Sequence, residues 1–190
     1  FLPADFWPFF VGGTVESVAW LPCRTEYEDC PATSQFLALG VHQEINPLHM
    51  NGQKSAGKNI IQIWEAVALD TPWARTEDSS KATTLRLGLC HSYGCVLSLE
   101  WCPRTSSWEE EALWSQTGGT RVLGVLAACF TDGTLRLFRV PHPGDGSEPV
   151  FLHLEPFCTL HIADSSIYRA RWSVTPTTTN LLYGSSTGMV

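Results

Sequence analysis

The chain has 190 residues, of which 44% are apolar and 16% charged, and it carries a formal net charge of −7. That balance excludes a disordered class and gives enough length for one domain, or one and a part, with a real core. Its twelve Lys and Arg form no run, which speaks against a surface for duplex phosphates, a local basic patch aside, and suits a protein partner better. No stretch of eighteen uncharged apolar residues occurs, so no transmembrane helix is expected. Phe1–Phe10 lacks the basic start and cleavage site of a signal peptide, and the sequence is read as an excerpt cut at both ends. Twelve prolines and fifteen glycines point to short strands with frequent turns.

Taken in chain order, the strand patterns repeat. The first set is Val15–Pro22, closing on Trp20, then Phe36–Gly40, then Ile60–Trp64. A further alternating run, Thr84–Leu89, is expected as its outer fourth strand and leads into His91. The second set is Val96–Pro103, closing on Trp101, then Leu126–Phe130, a tight turn at Asp132–Gly133, and Leu135–Phe138. Phe151–Ile162 alternates well enough to give it a fourth strand and a connector. The third set opens with Ile167–Trp172 and Leu181–Gly184. Val122–Cys129 is apolar on both faces, as expected of a strand sandwiched between two sheets, where small residues permit close approach. In the strand after the turn, Leu135, Leu137 and Val140 are expected to share a face. Trp20, Trp101 and Trp172 are expected in the core.

A Trp-ended strand, a small-residue strand, a turn and an alternating strand make up the order of a β-propeller blade. The expected fold is therefore all-β: a partial WD40-like propeller of about two to three blades with long loops. The blades span about 12–89, 91–162 and 166–190. Trp20 and Trp101 stand 81 residues apart, and Trp101 and Trp172 stand 71 apart, against about 40–45 for a standard blade. Loop-like inserts at Cys23–Pro31, His42–Asn59 and Arg104–Thr120 account for most of the excess. Terminal sheets with uncovered apolar faces are expected to leave the 190-residue piece poorly stable by itself.

The blade grammar resembles WD repeats. His91 falls where their histidine stands, Asp132 at the turn before the third strand, and Trp64 or Phe138 at a strand end. In such repeats a His, a Ser or Thr, the Trp and the Asp form a buried hydrogen-bond network. This chain departs from the pattern: Cys90 precedes His91, the Trp–Asp pair appears as Trp64–Glu65, and Phe138 replaces the second Trp. A narrower resemblance rests on His91–Ser92–Tyr93–Gly94–Cys95, Glu100–Trp101–Cys102–Pro103 and Val140–Pro141–His142–Pro143 occurring in that order. Together with Gly13–Pro22 and Ile60–Trp64, they are similar to the propeller subunit of general transcription factor IIIC. The resemblance implies a nuclear scaffold subunit in a complex that supports RNA polymerase III transcription of transfer RNA and small ribosomal RNA genes. Its partners would be other protein subunits, with promoter DNA reached indirectly through the complex.

No catalytic constellation emerges from the residues themselves. Cys90, His91, Cys95 and Cys102 have the residue types of a zinc site. Cys95 and Cys102, however, bracket one extended strand roughly 20 Å long and cannot share an ion. Four of the seven cysteines fall in or beside expected core strands and read as reduced structural thiols in an intracellular compartment. Cys23 and Cys30, which flank an acidic loop, remain a weak candidate for a bridge or a metal pair. His91 is expected to be a buried, hydrogen-bonded histidine, and no nucleophile elbow or phosphate loop is recognisable. Trp73, Trp108 and Trp114 lie in expected loops, where a tryptophan either packs locally or meets a partner. The reading is a non-enzymatic scaffold with no cofactor, no metal, no small-molecule substrate and no membrane. The alternative is a WD propeller of another intracellular assembly, such as chromatin, ubiquitin-ligase or trafficking machinery. A propeller hydrolase would need converging His, Asp and Glu at a central channel.

Overall fold

The computed structural model describes residues 9–22, 34–42, 59–67, 83–103, 121–144, 146–175 and 177–188. All regular elements among them are strands, arranged in three sheets. In the first sheet β1 (Thr14–Trp20), β2 (Ser34–His42), β3 (Asn59–Val67) and β4 (Thr83–His91) run antiparallel in chain order. The second sheet repeats this meander with β5 (Val96–Trp101), β6 (Val122–Phe130), β7 (Leu135–Pro141) and, outermost, β9 (Cys158–Leu160). The third sheet is the hairpin of β10 (Ile167–Val174) and β11 (Thr179–Ser185). The one parallel pairing is β8 (Val150–His153) on the outer edge of β4.

The expected fourth strand within Phe151–Ile162 thus divides. Its start crosses to the first sheet as β8, and only Cys158–Leu160 pairs with β7. Arg86 of β4 fixes this crossing by ion-pairing with Glu65 of β3 and donating to the Gly144 carbonyl at 2.6 Å. The chain leaving β7 is thereby tied to the neighbouring sheet.

The second sheet is buried on both faces. Leu126, Ala128, Phe130, Phe138 and Val140 meet the first sheet, packing with Ala38, Ile61, Ile63, Leu87 and Leu89. Ala127, Cys129 and Leu135 meet the third sheet, packing with Ile167 and Ala170. The sandwiched strand expected from the apolar run is present as β6, and its alanines and cysteine let the flanking sheets approach. Strict alternation sets Val140 beside Phe138, opposite Leu135 and Leu137, so the three residues expected to share a face do not.

The opening strands of the three sheets are copies in detail. Each carries a β-bulge four residues before its tryptophan, at Glu16, Leu97 and Tyr168. A leucine on the second strand then faces each tryptophan: Leu37 opposite Trp20, Leu126 opposite Trp101, Leu181 opposite Trp172. The Asp132–Gly133 turn is present, with Gly133 at φ 86° and its N–H on the Phe130 carbonyl. Thr187–Gly188 repeats it, with Gly188 at φ 79° and its N–H on the Ser185 carbonyl.

Gly40 and Gly184 occupy equivalent register positions, opposite Ser17 and Arg169. A methyl group at Gly40 would come within 2.8 Å of Val96 Cβ, whereas at Gly184 it would meet nothing within 4 Å. In urea unfolding, Gly40→Ala is expected to cost about 1–3 kcal/mol through overpacking. Gly184→Ala should stay within about 0.5 kcal/mol of the parent. Equal effects at the two positions would contradict this packing.

Candidate interaction site

Two of the three tryptophans at or near the ends of the opening strands, Trp101 and Trp172, join one sheet to the next. The Trp101 indole N–H donates to the Ala19 carbonyl of β1 at 3.1 Å, and the Trp172 indole donates to the Glu100 carbonyl of β5 at 3.3 Å. In both cases the acceptor is the residue just before the neighbouring sheet's tryptophan. The Leu99 N–H also donates to Ser17 Oγ across the first interface, and Arg171 ion-pairs with Glu100 across the second. Trp101 is 3% exposed, and Trp172 packs against the core between the second and third sheets.

Trp20 departs from the expectation for the three tryptophans. It is 53% exposed, because its side of β1 faces away from the second sheet. By register Val15, Val18 and Trp20 share a face with Leu37, Leu39 and Val41. The segment Phe9–Val11 covers the β2–β3 half of that face. Gln62 donates to the Val11 carbonyl at 2.9 Å, Phe9 tilts against Trp64 at 4.9 Å, and Val11 packs on Leu37, Leu39 and Val41. Trp64 itself donates to Gln62 Oε1 at 2.8 Å. The β1 half of the face, with Val15, Val18 and Trp20, stays open and is the candidate contact surface.

Of the motif residues, His91 and Phe138 pack around Phe130 in the first interface, whereas Gly133 meets the start of the third sheet, its carbonyl accepting from the Ile167 N–H at 3.1 Å. Asp132 accepts from the Thr134 N–H at 3.1 Å and the Thr134 hydroxyl at 2.7 Å. It also pairs with Arg136 at 2.8 Å. The Arg136 guanidinium lies 3.7 Å over the centre of the Tyr93 ring, so this half-buried cation has both a carboxylate and a π-face. His91 stacks on Tyr93 at 5.7 Å and meets the edge of Phe130 at 4.9 Å; Phe130 in turn meets Phe138 at 6.3 Å.

His91 is buried as expected, at 4% exposure. Contrary to expectation, neither ring nitrogen has a hydrogen-bond partner among the described residues. Asp132 is occupied by Thr134 and Arg136, and His91 is held by ring packing instead. Burial, with the positive charge of His42 and Arg136 added, lowers its pKa to about 4, so it is neutral at physiological pH.

Cys95, Cys102 and Cys129 are buried, Cys90 is half-buried and Cys158 is exposed; all five are free thiols. Burial pushes the Cys129 thiol up to about 12, which keeps it protonated and unreactive. Among the described residues no three His, Cys, Asp or Glu side chains are grouped to hold a metal ion. No helix there is long and apolar enough to cross a membrane. Trp73, Trp108 and Trp114, together with Cys23 and Cys30, lie outside the described residues. The sequence reading does not single out two polar anchors, the half-buried Arg136 and the buried Gln62. The signal was present: Arg136 lies four residues past Asp132, and Gln62 interrupts an apolar strand.

Against this geometry the relatives become informative. The chain is 28% identical over 135 residues to general transcription factor 3C polypeptide 2 of Homo sapiens, and equally to that of Pongo abelii. The match covers 71% of this chain and 14% of the relative. It is also 31% identical over 144 residues to transcription factor tau subunit sfc6 of Schizosaccharomyces pombe, covering 75% of this chain and 19% of that protein. No protein-family model matches. The chain is thus related to transcription factor IIIC subunits, and it spans less than a fifth of the length of these curated relatives.

The depressed His91 pKa has a measurable consequence. The unfolded chain takes up this proton near pH 6.5 and the folded chain only near 4, so stability is complete above 6.5 and falls as pH drops through that window. The His91 contribution lost by pH 4 is about 3 kcal/mol. Denaturant unfolding between pH 7.5 and 4.5 is expected to show this slope, reduced in His91→Phe. An unchanged slope in that variant would contradict it.

Proposed function

We propose that the three sheets are consecutive blades of a WD40-like β-propeller. In this reading the chain is a non-enzymatic scaffold part of a transcription factor IIIC-like complex. The observation that carries the fold reading is the repetition of one opening strand: the same bulge, the same Trp–Leu pairing and the same indole-to-carbonyl contact from sheet to sheet. A repeat that contacts only its neighbours through one recurring interface is how a propeller or solenoid is built. Meandering four-stranded sheets favour the propeller.

The similarity to two transcription factor subunits, in animals and in fission yeast, supports the assembly. The net charge of −7 fits a subunit that meets proteins and reaches promoter DNA through them. In this reading the protein works in the nucleus, in RNA polymerase III transcription of transfer RNA and small ribosomal RNA genes. It serves through its faces, with no cofactor or small-molecule substrate. Trp73, Trp108 and Trp114 are the proposed partner contacts on the inserts.

Affinity purification of the full-length protein from nuclear extract tests this directly. Recovery of the other subunits of transcription factor IIIC together with transfer RNA gene DNA is the expected result. Recovery of a different assembly would overturn the function and leave the fold reading in place.

A further inference from the structure

At both interfaces between described sheets, the tryptophan of one opening strand donates its indole N–H to the main-chain carbonyl one residue before the preceding sheet's tryptophan. Trp101 reaches Ala19 at 3.1 Å and Trp172 reaches Glu100 at 3.3 Å. Each of these tryptophans faces the sheet that precedes its own in the chain. Strand β1 carries the third copy of the same device, with its bulge at Glu16 and Leu37 opposite Trp20. Yet Trp20 is 53% exposed, its indole N–H has no hydrogen-bond partner among the described residues, and Val15 and Val18 stand open beside it.

We infer that this open half of the first sheet is covered by a further antiparallel sheet of the same polypeptide, whose opening strand presents a main-chain carbonyl to the Trp20 indole. The inference rests on the repeat reading proposed above and extends it to one residue and one bond. Continuity with the two existing interfaces argues for this occupant. A helix laid on the face would cover the valines, but its carbonyls are consumed by its own ladder. A tryptophan buried there would then keep an unsatisfied N–H, which folded proteins avoid. A strand carbonyl in the position of Ala19 or Glu100 covers the apolar ring and accepts its proton together. Segment Phe9–Val11 already lies on the β2–β3 half of the face, so the incoming strand is directed to the β1 half, where Trp20 is.

Hydroxyl-radical footprinting of the full-length polypeptide, purified as a monomer without partners and read by mass spectrometry, tests this. Trp20 is expected to be protected, relative to the urea-unfolded protein, to the same degree as Trp101. Oxidation of Trp20 many-fold faster than Trp101 overturns the inference. Trp20→Phe, which keeps a ring and removes the donor, is expected to lower the Tm of the full-length protein by about 2–4 °C, as expected for losing one hydrogen bond. An unchanged Tm overturns the bond. If that variant does not fold, the footprint of the unsubstituted protein decides. Electron microscopy separates this from the reading beneath it. A ring-shaped particle with Trp20 open defeats the inference and spares the propeller, whereas a protected Trp20 in a particle that is not a ring upholds the covering sheet and defeats the propeller.

Discussion

Strand β6 has no face to give to water. Leu126, Ala128 and Phe130 point into one sheet interface, Ala127 and Cys129 into the other. Each fully buried large apolar side chain is worth about 1.5–3 kcal/mol, so a second sheet buried on both faces dominates the energetics. It also dictates the rest of the arrangement. The neighbours must come close enough to exclude water, which the alanines and Gly40 permit, and they must come at a fixed angle. The shared bulge adds local twist to each opening strand, and the indole-to-carbonyl contacts of Trp101 and Trp172 set the register between sheets.

Polar groups inside this packing are handled in two ways. Asp132, Thr134 and Arg136 satisfy one another, and Arg136 lies on the Tyr93 ring. His91 receives no such partner among the described residues and is kept neutral by burial and nearby positive charge. Ring packing on Tyr93 and Phe130 therefore holds His91 where hydrogen bonds were expected. Phe138 likewise contributes an aromatic edge to Phe130 and no donor for a carboxylate.

Much of this could be read in the residues. Period-two alternation marks β3, β5 and β7, the Asp–Gly pair marks the turn at Asp132–Gly133, and an unbroken apolar run marks the double-faced burial of β6, because these features depend on neighbours along the chain. What escaped depends on partners distant in sequence. Nothing in Val150–His153 says that it will pair with β4, a strand much earlier in the chain, where Arg86 also donates to the Gly144 carbonyl. Hydrophobicity alone does not place Val140, because β7 carries apolar side chains on both faces. Trp20 reads like Trp101 and Trp172, but each of those faces the sheet before its own, and no described sheet lies on the Trp20 side of the first. The transcription factor IIIC relation came from linked short motifs, and the relatives uphold it at 28–31% identity.

The central claim is that one bulged, tryptophan-ended hairpin is repeated with one geometry from sheet to sheet. An experimental structure of the full-length protein at side-chain resolution measures this most directly. The account predicts that the rotation carrying the first sheet onto the second also carries the second onto the third, with the Trp101 and Trp172 indoles on the Ala19 and Glu100 carbonyls. Two unrelated rotations, or indoles turned away from those carbonyls, would contradict it.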